Sequence, residues 1–147
     1  MKMSTKGRYG LRAMLDLALN SGGDHVALNT IAERQNISSN YLEQVFSILR
    51  KGGLVNSVKG AQGGYVLADS VNRITVGQIL RTLEGDLSVA GERPENEPDS
   101  LVEYCLQKHV WEKVNKSINE TVDAITLEDL LVNYKKMQGN MSLMFYI

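Results

Sequence analysis

Apolar residues recur along the chain with two periods, and the change of period divides it into elements. Leu11, Met14, Leu15, Ala18 and Leu19 occupy the i, i+3, i+4, i+7 and i+8 positions of one helical face, which predicts a helix over roughly 5–21 stopped by Gly22-Gly23. Leu28, Ile31 and Ala32 make a second, shorter helical unit, broken by Gln35-Asn36-Ile37-Ser38. The third segment is the most strongly patterned: Ser38 or Ser39 stands as N-cap, Leu42, Val45, Phe46 and Leu49 share a face, and Gly52-Gly53 closes it. Leu54 to Lys59 and Tyr65-Val66-Leu67 then read as two short strands around the glycine-rich Gly60-Ala61-Gln62-Gly63-Gly64. Three helices followed by a hairpin predict a mainly α fold with a small β wing, a winged helix-turn-helix.

Thr75 and Gln78 form a capping box that opens a helix burying Val76, Ile79, Leu80 and Leu83 before Gly85, which closes this first core at 1–83. Residues 84–99 hold both prolines of the chain and six acids, too polar to pack as a regular element, and are expected to be an acidic loop. Ser100 and Glu103 make another capping box, starting a helix of about 25 residues with Leu106, Val110, Val114, Ile118 and Val122 repeating every four positions. At ~1.5 Å per residue that helix is nearly 40 Å long, more than the small core can cover. Thr126 and Asp129 are expected to begin a last short helix with Leu127, Leu130 and Leu131 inward, and the tail from Met141 to Ile147 ends apolar. Residues 100–147 thus form a third segment.

The chain has 147 residues, 43% hydrophobic and 22% charged, an ordinary composition for a single core. No apolar run approaches the roughly 18 residues of a membrane span, and Met1-Lys2-Met3-Ser4 lacks a secretory signal, so a cytoplasmic protein without membrane contact is expected. A single cysteine, Cys105, excludes an internal disulfide framework and a metal centre of several thiolates from one chain. The net charge of −1 argues against a nucleic-acid partner until it is divided along the sequence. Residues 1–83 carry ten Lys/Arg against five Asp/Glu, and residues 84–147 six against twelve, so one end is basic and the other acidic.

With the apolar face of the third helix turned to the core, Asn40, Glu43, Gln44, Ser47, Arg50 and Lys51 form a row on the opposite side. A solvated surface has the same look. The short turn before this helix, the hairpin after it and the basic composition favour a base-reading face, since Arg can pair guanine, Gln adenine, and Glu a cytosine amine in the major groove. Lys59, Gly60, Gln62 and Gly63 place small residues and a cation at the wing tip, where backbone can approach a phosphate or the minor-groove floor. Lys6, Arg8 and Tyr9 begin the first helix and are further candidates for phosphate contact.

Residues 1–14, Ile31-Ala32-Glu33, Ser39-Asn40-Tyr41-Leu42-Glu43-Gln44, Leu49 to Val55, Gly60 to Tyr65 and Ile79 to Gly85 form a set of motifs. Together they resemble the Rrf-two family of bacterial winged-helix regulators. The resemblance implies a homodimer on a partly palindromic double-stranded DNA operator, with the helix at 39–51 in the major groove and the wing in the minor groove. It also makes the long helix a dimerisation element through Leu106, Val110, Val114, Ile118 and Val122. Contact roles pass to Tyr41, Glu43, Gln44, Arg50 and Lys59.

Many relatives hold an iron–sulfur cluster on three cysteines before the dimer helix. Here Cys105-Leu-Gln-Lys-His109-Val-Trp111 keeps only the last, so no cofactor and no metal are expected, and Cys105 reads as a buried thiol one turn from a surface histidine. Within the family the chain is most similar to the cluster-lacking branch that represses cysteine metabolism. That similarity implies capture of the tail residues Phe145, Tyr146 and Ile147 by cysteine synthase, against the alternative of a tail docked on its own dimer. An iron–sulfur or thiol redox-sensing regulator using Cys105, and a protein-interaction adaptor that binds no DNA, stay open as alternatives. His25 lies in a polar loop and carries no motif. An enzyme is not expected, because no nucleophile has a matched base and there is no P-loop.

Overall fold

The computed structural model describes residues 2–90 and 100–146, with side chains described as far as Met141. Its elements are α1 (Thr5–Asn20), α2 (Leu28–Gln35), α3 (Ser39–Lys51), β1 (Val55–Val58), β2 (Gly64–Leu67), α4 (Val76–Glu84), α5 (Leu101–Leu106), α6 (Glu112–Ala124) and α7 (Leu127–Tyr146). A π-helical turn over Gln107–Trp111 joins α5 to α6, so the long helix expected from residue 100 is present with one wide turn in it.

Helices α1 to α4 enclose a core of Met14, Leu17, Ile31, Leu42, Phe46, Leu49 and Ile79, and Leu127 enters it from α7. The buried face of α1 is Gly10, Ala13, Met14 and Leu17. This corrects the expected stripe. α1 is covered on two sides: Leu11 also packs on a second cluster formed by Val76, Leu80 and Leu87 with Ile118, Val122 and Ile125. Leu15 and Leu19 are only half-buried.

The capping signals act as expected. Ser38, rather than Ser39, caps α3, its hydroxyl accepting from the Tyr41 N–H at 3.3 Å. Thr75 and Gln78 exchange both bonds of their box at 3.1 and 3.0 Å, as Thr126 and Asp129 do at 3.0 Å each. Ser100 accepts from the Glu103 N–H at 3.1 Å. At the start of α1 the carboxylate of Glu84 accepts from the Gly7 N–H at 2.9 Å and from the Ser4 hydroxyl, placing negative charge at the positive end of the helix.

β1 and β2 pair antiparallel from Val55↔Leu67 to Val58↔Gly64. A further rung was not legible in the sequence: Val26, between α1 and α2, exchanges two backbone bonds of 2.9 Å with Tyr65 and anchors the wing to the helical core. At Gly64 a Cβ would meet the Val26 carbonyl oxygen at 2.2 Å, so this close pairing requires glycine.

One expectation about the second half changes. The last helix is not short: α7 runs through 20 residues, because Gly139 alone only weakens a helix rich in Leu, Met and Lys and does not stop it. The acidic segment begins as a loop, without helix or strand over residues 85–90, and this loop is tied to the core. Leu87 is buried, and the Val89 N–H donates to Asn115 Oδ1 at 2.7 Å. Its residues 91–99 lie outside the described ones. No helix among the described residues is long and apolar enough to cross a membrane.

Candidate nucleic-acid interface

α3 is held by its apolar face, with Leu42, Val45, Phe46 and Leu49 buried, so its other face is presented outward. Asn40, Glu43, Gln44, Arg50 and Lys51 are exposed there, and Ser39 and Ser47 are half-buried. Opposite them stands the wing. Glu43, Ser47 and Arg50 from α3 line one groove with Lys59, Gly60, Gly63 and Tyr65 from the hairpin, and Asn29 and Ser57 join its wall. Among the described residues no hydrogen bond or ion pair engages the side chains of Glu43, Gln44, Arg50, Lys51 or Lys59. They are unpaired polar and charged groups around a concavity, the arrangement a polyanionic duplex can satisfy.

The wing tip owes its shape to glycine. The Gly63 N–H donates to the Gly60 carbonyl at 3.0 Å, and a Cβ on Gly63 would lie 2.1 Å from the Val58 carbonyl oxygen. Gln62 is exposed at the tip, and its carbonyl accepts from His25 Nε2.

At the other end of α3, Tyr41 meets Tyr9 of α1 edge to face, with centroids 6.0 Å apart at 84°. The Arg12 guanidinium lies over the Tyr9 ring at 4.7 Å and donates to the Gln35 carbonyl at 3.2 Å, tying α1 to the last turn of α2. Arg8 is exposed beside them. Underneath, the buried carboxylate of Asp16 accepts from Arg34 at 2.7 and 3.0 Å and from Gln35 Nε2 at 2.7 Å. The hydrogen bonds Arg34 donates to the Asp16 carboxylate raise the Arg34 pKa above its usual value. These contacts set the relative placement of α1, α2 and α3.

Sequence reasoning passed over Arg12, Asp16, His25, Asn29 and Ser57. Arg12 stands three residues after Tyr9 on a helix, a spacing that places the two side by side. The others depend on contacts between elements far apart in the chain and leave no local signal.

In the second half, Leu106, Val110 and Val114 are exposed at 44%, 36% and 37%, and Leu101, Val102, Val132, Met137 and Met141 are exposed with them. Ile118 and Val122 instead pack against the chain's own second cluster. Cys105 is exposed, which corrects the expectation of a buried thiol: the helix that carries it projects beyond the core. Phe145 and Tyr146 fall beyond the described side chains, and Ile147 beyond the described residues.

The family model described as "Rrf2: Iron-dependent Transcriptional regulator" matches residues 3–133. The chain belongs to the Rrf2 family. It is 43% identical over 130 residues to the HTH-type transcriptional regulator CymR of Bacillus subtilis (strain 168), covering 88% of this chain and 89% of that protein. The solved structure of CymR, "the Global Cysteine Regulator of B. subtilis", superposes with a TM-score of 0.76 at 42% identity, covering 90% of this chain and 98% of the other. The structure of T. potens IscR gives a TM-score of 0.75 at 48% identity, with 94% and 91% covered. The mainly α winged helix-turn-helix with long C-terminal helices is therefore the Rrf2 fold, and the protein is a transcriptional regulator, not an enzyme.

The family description names iron, and the donor set here does not fit an iron–sulfur cluster. Such a cluster takes roughly four soft ligands, whereas Cys105 is the chain's single cysteine. No three His, Cys, Asp or Glu residues among the described ones converge as a metal site.

Proposed function

We propose that this Rrf2 regulator is a homodimeric repressor that binds a partly palindromic duplex through α3 and the wing and controls genes of cysteine or sulfur metabolism. The convergence of Glu43, Ser47 and Arg50 with Lys59, Gly60 and Gly63 on one groove carries this proposal. α3 has the width for a major groove, and the wing then reaches the neighbouring minor groove. In this reading Arg8 and Tyr9 contact flanking phosphates, and Ser39, Asn40, Tyr41, Gln44, Lys51 and Gln62 complete the contact set. Dimerisation through the exposed stretch of Leu106, Val110 and Val114 supports two half-sites one helical turn apart.

The metabolic assignment follows the likeness to a cysteine regulator, and with it comes the finer proposal that cysteine synthase captures Phe145, Tyr146 and Ile147. Selection from a random-sequence duplex pool tests the core of this proposal. A two-fold symmetric motif bound at nanomolar concentration is expected; recovery of no motif contradicts it. Deleting Tyr146 and Ile147 should abolish pull-down of cysteine synthase and leave the duplex affinity unchanged. Unchanged pull-down would assign the tail to its own dimer.

A further inference from the structure

His25 is placed where the wing is fastened to the helical core. Its Nδ1 lies 3.1 Å from Asp24 Oδ1, and its Nε2 bonds the Gln62 carbonyl at the wing tip. Both partners are acceptors. A neutral imidazole has one N–H, so it can donate to Gln62 only by turning a bare lone pair on Nδ1 toward the Asp24 carboxylate, whereas the imidazolium donates to both. Asp24 is fixed in that position by accepting from the His25 backbone N–H at 2.8 Å. Asp24, from the α1–α2 loop itself, is the charged group at the ring. The wing presents the uncharged carbonyl, Lys59 stands exposed further along the wing, and the nearby Tyr65 turns its ring onto Phe46. Val26, next in the chain, pairs with Tyr65, so the loop and wing already share a backbone rung that the histidine extends to the tip.

We propose that His25 is a positioning residue for the wing, its imidazolium bolting the tip at Gln62 to the α1–α2 loop, so that duplex affinity rises as pH falls through the range in which imidazole gains its second proton. Resting on the reading of the groove as a duplex-binding surface, the bolt acts by holding the tip before binding instead of ordering it during binding, which lowers the entropic cost of the complex. His25→Gln retains a donor for the Gln62 carbonyl and removes the titration.

The duplex selected by the wild-type chain serves as probe, with affinity measured at pH about 6 and about 8, on either side of the histidine range. Wild type, and His109→Gln at the chain's other histidine, should bind about two- to fivefold tighter at the lower pH, the scale of a solvent-exposed ion pair, and His25→Gln should give a flat profile. A flat wild-type profile, or the same ratio kept in His25→Gln, overturns the bolt. If no duplex is selected, the groove reading fails, and the bolt is still tested in the free chain by NMR. There the Gly63 and Gly64 amide shifts should follow one histidine titration in wild type and stay flat in His25→Gln. Amides that ignore pH in wild type overturn it.

Discussion

Lys59 and Arg50 are both cations on the walls of the groove, and the proposed function gives them different tasks. Lys59 follows β1 at the base of the wing tip, and there the proposal has it meet phosphate, a point-charge contact that carries no sequence information. Lys59→Ala should therefore weaken all duplexes alike and shallow the salt dependence of binding by about one unit of log–log slope, read by anisotropy titrations at several salt concentrations. A change confined to one sequence would place Lys59 among the base readers. The polar row on α3 was legible because residues opposite a buried helical face must point outward, whatever the rest of the fold does. His25 and Asp16 were not. A histidine in a polar loop and an aspartate in a helix look ordinary until Gln62, Arg34 and Gln35 arrive from elsewhere in the chain.

Elements whose ends carry their own signals were read almost to the residue, since Ser38, Thr75, Ser100 and Thr126 each satisfy helix N–H groups locally. Element lengths and faces set by tertiary contact were read less well, as the buried face of α1 and the full length of α7 show. One joint between elements is chemically explicit. Arg81 of α4 donates to Asp123 of α6 at 2.7 and 3.0 Å and to Asn119 at 2.6 Å, clasping the long helix to the winged domain. The hydrogen bond from Arg81 holds the Asp123 carboxyl below its ordinary range. A carboxylate whose folded-state pKa is lowered contributes stability above its unfolded value and loses it as pH falls through the folded value. Wild type should thus unfold at a higher temperature than Asp123→Asn near neutrality, and the gap should close as pH drops below about 4. A gap unchanged down to pH about 2 would show that the clasp owes nothing to the charge.

At the scale of the whole molecule, a basic winged end is joined to an acidic helical end, and the apolar side chains left exposed are concentrated on the latter. Leu106, Val110 and Val114 form a stripe that one chain does not cover, which suits burial against a second copy. Val110→Asp puts an unpaired charge into that stripe. It should shift the protein from dimer to monomer in analytical ultracentrifugation and reduce duplex affinity at least tenfold while leaving the winged-domain core intact. A dimer that persists would move the interface elsewhere. The most direct test of the central claim concerns α3 as the reader of sequence: duplex selection repeated with Arg50→Ala. The expected result is loss of base preference at one pair in each half-site and a cost of about 1–3 kcal/mol on the wild-type motif. An unchanged motif bound with unchanged affinity would contradict the account.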